Sequence, residues 1–413
     1  MYIVIPIFSD GFLHSQHHAN KLSLLYVKKI NEEGKILTFN HMDLLSKDSF
    51  DFLKNEVILT TMKKQLLSIH PFKQVYDMNI LHWWIHNKPM EHNVKNNTID
   101  IMNNRFYFLK NINTVIPIYK HLEYCNDVAH QIEKLWKNKN KINFKDYLLY
   151  NNEAVLAYCS IERKGIKVSN DVCEIFDNRV KKHISYNKLY SDYFLNTTTG
   201  RPSNAFGSVN FAALDKKHRA AFIPEHDMFI EYDYDAYHLR LIADLINYKF
   251  PEGSVHEYLA GWYGVDYNES KAITFKTLYG GIGDEIANKV PFFKKVREFI
   301  YLQWKLFNQQ KYVETYIYNR RIASKNLQNM NANKVFNYLI QAHETEVNIK
   351  TIIELQRYLI TQNTNLVMST YDGFLFDYAK QDGEQVLYHI KKIMERNNHP
   401  VKLKQGLNYS EMA

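Results

Sequence analysis

The sequence predicts an α+β fold of more than one unit, on three observations. At 413 residues and 49.1 kDa the chain has room for two or three cores of ordinary size. Short apolar runs of strand length stand beside long stretches with apolar residues at three and four spacing. Near the C-terminus LVMST meets YDG and then FLFDYA, a hairpin signature with Asp-Gly at the turn. Charged residues at 23% and hydrophobic residues at 46% give no sign of extended disorder.

The elements follow in order. Tyr2 to Phe8, Leu22 to Lys28 and Phe106 to Leu109 read as strands, and the Trp-rich segment from Asn79 to His86 as a helix. Residues 121 to 190 read as strongly helical, carried by LEYCNDVAHQIEKLW and EAVLAYCSIERKGI, with Gly165 as a C-cap of the second. From Thr197, TTTGRPSNAFGSVN is a polar loop, and MFIEYDYDAYHLRLIADL reads as strand into helix. ESKAITFKTLYGG is helical; two helices, a basic connection at Asn319 to Arg321, and a long helix from about Asn333 to Tyr358 come next.

A formal charge of +8 and a pI near 8.9 suit a polyanionic partner, or a Lys-rich solvated surface. Thirty Tyr and 24 Phe add faces on which bases can stack, or a Tyr-rich core. Cys125, Cys159 and Cys173 form no C-x-x-C pair, which argues against a disulfide framework or a zinc site and fits a reducing compartment. MYIVIPIFSDGF lacks a basic start before its apolar run and reads as a first strand, not a signal peptide. No apolar stretch reaches the ~20 residues of a membrane span. A cytoplasmic protein without a membrane partner is expected.

Asp233 closes an apolar strand just before a helix, and Asp372 sits at the tip of the late hairpin. Both positions suit metal ligation, and each alone equally suits a cap or a turn. Between them Lys271, Phe275 and Tyr279 recur at i, i+4 and i+8 on one helix face. A Lys there can meet a triphosphate and the aromatics a nucleotide and its template; an amphipathic helix with a snorkelling Lys has the same pattern. Asn337, Gln341, Glu344 and Asn348 make a polar line on an otherwise apolar helix, which needs partners from nucleic acid, from the core or from solvent.

Taken together and in order, these segments resemble the family A DNA polymerases, Pol I-like and of the small phage type, over about residues 150 to 413. YDYDAYHLRLIADL is similar to motif A, which makes Asp233 a metal ligand and the Tyr234 carbonyl another. SKAITFKTLYGG is similar to motif B, making Lys271 a triphosphate contact, Phe275 the nucleotide-packing aromatic and Tyr279 the template-side one. STYDGFLF is similar to motif C, with Asp372 its metal ligand. TTTGRPS implies Arg201 as a primer-template contact, SVHEYLAGWYGV implies His256 as a phosphate contact, and NYLIQ implies Asn337 and Gln341 as minor-groove readers.

Several positions depart from the family. His238 stands for the motif A Glu beneath the sugar, which bears on ribose discrimination. Tyr267 stands for a motif B Arg. Tyr371-Asp372-Gly373 stands for His-Asp-Glu, with Tyr371 keeping a donor near the primer end. Only about 30 residues remain where a thumb belongs, which implies low processivity without a partner. YCNDVAHQIEKLW resembles the last motif of a proofreading exonuclease through Tyr124 and Asp127, but the first strand lacks the Asp-x-Glu carboxylates.

The resemblance thus implies a right-hand polymerase of palm, fingers and reduced thumb, preceded by a small α/β ribonuclease H-like, exonuclease-type domain without nuclease activity. Expected boundaries are 1–149 for that domain, 150–198 for the thumb and 199–413 for palm and fingers, the fingers spanning about 246–328. The expected chemistry is two-metal nucleotidyl transfer from dNTPs to a primer 3′ end, with two Mg²⁺ ions (or Mn²⁺) about 4 Å apart. Primer-template DNA and a processivity or replisome factor are the expected partners, and a phage origin would place the protein in the host cytoplasm. Alternatives are a polymerase-derived primer-template binding protein with little turnover and a polymerase with relaxed sugar selectivity.

Overall fold

The computed structural model describes residues 1–8, 22–38, 49–88, 90, 118–169, 178–181, 183–204 and 209–412. The expected strand at Phe106 to Leu109 and the residue Cys173 lie outside them.

The N-terminal part is built on a five-stranded mixed sheet. Its strands are β1 (Tyr2–Phe8), β2 (Leu22–Lys29), β3 (Lys35–Thr38), β4 (Val57–Thr60) and β5 (Gln74–Asp77). They lie in the order β3-β2-β1-β4-β5, antiparallel among the first three and parallel from β1 to β5. β1 is almost wholly buried, as its run of Ile, Val and Phe requires of a central strand. Helix α1 (Lys63–Ile69) links β4 to β5, and α2 (Met78–His86) follows β5 directly. Asp77 caps α2 by accepting from the amides of Asn79 (2.9 Å) and Ile80 (3.3 Å), and Asn87 ends it in the left-handed region at φ 54°. Two long helices, α3 (Ile118–Lys137) and α4 (Phe144–Lys164), complete this part, and Gly165 follows α4 at φ 61° as expected.

Among the described residues from 166 to 190 the helical expectation gives way to three two-residue strands, Ile166–Lys167, Ile184–Ser185 and Lys188–Leu189, and a helix of four residues, Asn178–Lys181. Tyr186 and Asn187 at φ 50° and 57° form a tight turn that no helix could contain.

The C-terminal part centres on a four-stranded antiparallel sheet. β6 (Met228–Tyr234) feeds α5 (Tyr237–Leu245), α6 (Val255–Tyr263) and α7 (Tyr267–Gly280), then α8 (Asp284–Lys289) and α9 (Pro291–Gln310). The α6 start is a capping box in sequence, Ser254 three residues before Glu257, and α7 starts on Asp266, which accepts from Glu269 N at 2.9 Å. A small hairpin, β7 (Tyr312–Glu314) and β8 (Arg321–Ala323), leads into α10 (Ala332–Leu359). β9 (Asn365–Thr370), β10 (Gly373–Tyr378), α11 (Gly383–Met394) and β11 (Val401–Gly406) follow, and the sheet runs β9-β10-β6-β11.

The two parts share a core. Ile3, Leu25 and Trp83 of the N-terminal part belong to one apolar cluster with Tyr158 of α4, Tyr232 and Phe376 of the central sheet and Ile352 of α10. Fully burying such side chains contributes about 1.5–3 kcal/mol each. A separate cluster joins α5, α6 and α9 to the start of α10, so the helical region beyond β6 packs on its own centre. Among the described residues no helix is long and apolar enough to cross a membrane.

Candidate active site

The β9–β10 hairpin differs from expectation in its turn. Thr370 pairs with Gly373, so the two turn residues are Tyr371 and Asp372 and the glycine is the first residue of β10. Tyr371 takes the positive φ, 58°. Asn348 holds that conformation by donating to the Tyr371 carbonyl at 2.7 Å while its Oδ1 accepts from the Tyr237 hydroxyl at 2.9 Å. Ala236, at φ 51°, marks a second strained residue where β6 passes into α5.

This geometry brings the two aspartates together. Asp233 lies opposite Gly373 in the β6–β10 register, and the Tyr234 amide donates to the Asp372 carbonyl at 3.1 Å. The Tyr234 side chain is turned away from the cleft, its hydroxyl donating to Met394 O at 3.0 Å. Burial pushes the Asp233 carboxyl up, against the pull of Lys404, Lys402 and Lys271. Asp372 is open along the cleft mouth but crowded on its other sides; burial, then Asp233, pushes it up to about 6. Two carboxylates side by side, one raising the other, are a hard oxygen donor set of the kind Mg²⁺ and Mn²⁺ take, and a divalent cation relieves their repulsion.

A cleft of about 410 Å³ opens beside them, lined by Arg201, His238, Phe275, Tyr279, Gln341, Glu344 and Asp372 among others. Phe275 and Tyr279 of α7 stack at 6.2 Å and 9°, and Phe275 is 40% exposed. Lys271, one turn earlier, is exposed and close enough to act on Asp233. His238 is hydrogen-bonded through Nδ1 to the Tyr279 hydroxyl, and its Nε2 lies 3.3 Å from Glu344 Oε2. The guanidinium of Arg201 sits 3.6 Å over the Tyr371 ring, with Nε 3.0 Å from the same Glu344 oxygen. Neither contact to Glu344 Oε2 has hydrogen-bond alignment; the one to Arg201 is an ion pair.

The polar line on α10 divides. Asn348 is satisfied by protein hydrogen bonds and Glu344 pairs with Arg201, whereas Asn337 Oδ1 is buried without a hydrogen-bond partner and Gln341 faces the cleft. His256 is buried, between the rings of Tyr267 (5.8 Å) and Phe275 (6.0 Å), with Nδ1 unpartnered. Burial, then Lys271, lowers its pKa, so the ring is a neutral one.

At His238, Tyr267 and Gly373, a charged side chain arrives from elsewhere. Glu344 brings a carboxylate to His238. Lys402 of β11 hydrogen-bonds Tyr267 and pairs with Asp235 at 2.5 Å. A Cβ on Gly373 would sit 3.6 Å from Glu231 Oε1, so the Glu231 carboxylate occupies the space beside that glycine, 3.4 Å from Lys404. Lys402 and Lys404 were legible only as alternate residues of a short polar strand, VKLKQG, and Glu231 as one acid in an apolar run. Of Tyr124 and Asp127, the first is buried and the second exposed, its carboxylate accepting from Gln131 Nε2 at 2.9 Å.

No family model matches the sequence, and no curated protein matches it. Among solved structures, the fold is similar to the POL domain of Pol1 from M. smegmatis in complex with DNA primer-template and dNTP. The TM-score is 0.72 at 11% identity, over 99% of this chain and 95% of that one. The chain therefore has the fold of a Pol I polymerase domain.

Proposed function

We propose that the chain is a template-directed DNA polymerase of family A that extends a primer 3′ end from dNTPs. One observation carries the reading: Asp233 on β6 and Asp372 in the turn before the adjacent strand β10 meet at the mouth of a cleft that also holds the exposed Phe275 and the Tyr279 of α7. That arrangement, in a fold shared with a polymerase domain, suits nucleotidyl transfer.

In this reading Asp233, Asp372 and the Tyr234 carbonyl hold two Mg²⁺ ions, which when bound lower the pKa of the primer hydroxyl and neutralise the leaving pyrophosphate. Lys271 and His256 meet the triphosphate, with Lys402 as a further cation. Phe275 and Tyr279 cover the base, His238 borders the sugar, and Arg201, Tyr371, Asn337 and Gln341 meet the primer-template. The orphan Oδ1 of Asn337 supports the last assignment, because a buried acceptor needs a donor.

Residues 1–149 are read as an exonuclease-like unit without nuclease activity, supported by its mixed sheet and by the position of Asp127 on an exposed helix face. Residues 150–198 are a reduced thumb and 199–413 palm and fingers.

Primer extension on a defined template, with dNTPs or rNTPs and Mg²⁺, tests the reading. Wild-type protein should incorporate the complementary dNTP, and Asp233→Ala and Asp372→Ala should each lower the rate by about a thousandfold, as loss of several kcal/mol implies. Duplex binding without incorporation by the wild type would refute catalysis and leave a primer-template binding protein.

A further inference from the structure

We propose that the N-terminal unit positions the Thr197–Arg201 loop for contact with the primer-template, with Trp83 of α2 as its positioning residue. What Arg201 touches rests on the polymerase reading; how the loop is held does not.

Trp83 is fully buried, and its indole Nε1 donates to the Thr197 carbonyl at 2.8 Å. The same carbonyl accepts from Gly200 N at 3.1 Å, so both its lone pairs are used and the turn is closed. Gly200 adopts φ +81°, and a Cβ there would meet Trp83 Cη2 at 3.4 Å, so the ring packs directly against the turn. Asn196, just before it, donates to the Asn79 carbonyl of α2 at 3.2 Å.

A second arm reaches the loop through the same helix. The guanidinium of Arg320 lies 3.8 Å over the Trp83 ring and donates to Thr198 O at 2.6 Å. Arg320 is itself held by the β7–β8 hairpin, which Asn87 at the end of α2 grips through Arg321 O and Ala323 N, both at 2.8 Å. Carbonyls 197 and 198 thus find their partners on α2 and on a side chain stacked against it. The constraint passes to Arg201 through its own carbonyl, which accepts from the Thr197 hydroxyl at 2.9 Å. Arg201 then projects over Tyr371 at the cleft. A buried indole packs equally well without this bond, but the loop carbonyl loses a donor.

The test uses the full chain and a fluorescein-labelled primer-template. Trp83→Phe keeps the aromatic platform and removes the N–H; Asn196→Ala removes the second tie and guards against a failure of the first variant to fold. With folding verified by circular dichroism, each should weaken duplex affinity about threefold to tenfold. The nucleotide KM should stay unchanged, and Trp83→Phe should add nothing to the loss caused by Arg201→Ala. Hydrogen exchange at the Gly200 amide should also speed up in Trp83→Phe, whatever the protein binds. Wild-type affinity in both folded variants, or losses that add to that of Arg201→Ala, would overturn the proposal. Failure of the wild type to bind duplex, with faster exchange in Trp83→Phe, would overturn its DNA-contact half and the polymerase reading while upholding the tie to the loop.

Discussion

Asp372 bears the heaviest electrostatic load in the cleft. Its carboxyl is raised from an ordinary 3.8 to about 6, by burial and by Asp233. Between those values the folded chain holds more protons at this site than the unfolded one, so its contribution to stability falls as pH rises through that window. Thermal melts from pH 4 to pH 8 should show Asp372→Asn gaining on the wild type as pH rises, although extension is lost. Mg²⁺ should raise the wild-type melting temperature more at pH 7.5 than at pH 5, where protons compete for the same oxygens. Lys402 supports a second prediction: Lys402→Ala should raise the dNTP KM about threefold to tenfold with a smaller change in kcat, seen in steady-state extension. The aspartates and the α7 stripe were legible in sequence because strand ends and helical spacing are local patterns. Glu231 and Lys402 were not, and Glu344 only as one member of a polar line, since each acts beside a residue on another segment. The Tyr371-Asp372 turn was misread for a similar reason: dipeptide preference pointed to Asp-Gly, while the pairing of Thr370 with Gly373 and the bond from Asn348 fix the turn one residue earlier.

Helix α10 divides its duties along its length, and substitution should reveal the division. Asn348 satisfies both the Tyr237 hydroxyl and the Tyr371 carbonyl, so Asn348→Ala should cost about 1–3 kcal/mol in a urea melt. Gln341 is half-buried at the cleft, and Gln341→Ala should leave stability within ~0.5 kcal/mol while weakening duplex binding. The helix itself was plain from its apolar period. Which polar residues face protein was not, because the partners lie 23 and 111 residues away along the chain. Over residues 183–190 the same periodicity misled, for the positive-φ turn at Tyr186 and Asn187 carries no glycine to announce it.

For the whole molecule, the shared core makes a firm prediction. A chain beginning at residue 144 would strip α2 and the five-stranded sheet from the cluster that also contains Tyr232, Ile352 and Phe376. Such a fragment should be insoluble or bind a hydrophobic dye strongly, whereas a separable domain would leave residues 144–413 folded and soluble. The α+β class was readable because strand and helix periods differ. The continuity of the core was not, since nothing in a single sequence says which apolar faces meet.

The carboxylate of Glu344, finally, faces two side chains at once, the guanidinium of Arg201 on one side and the imidazole of His238 on the other. A ligand that draws the guanidinium away leaves the imidazole as its remaining partner, tightening the hold on Tyr279 through His238. Occupancy on the Arg201 side and occupancy beside Tyr279 are then thermodynamically linked, and linkage is reciprocal: each should change the affinity of the other by the same factor. A coupling of the two occupancies, equal in both directions, would follow from one shared carboxylate.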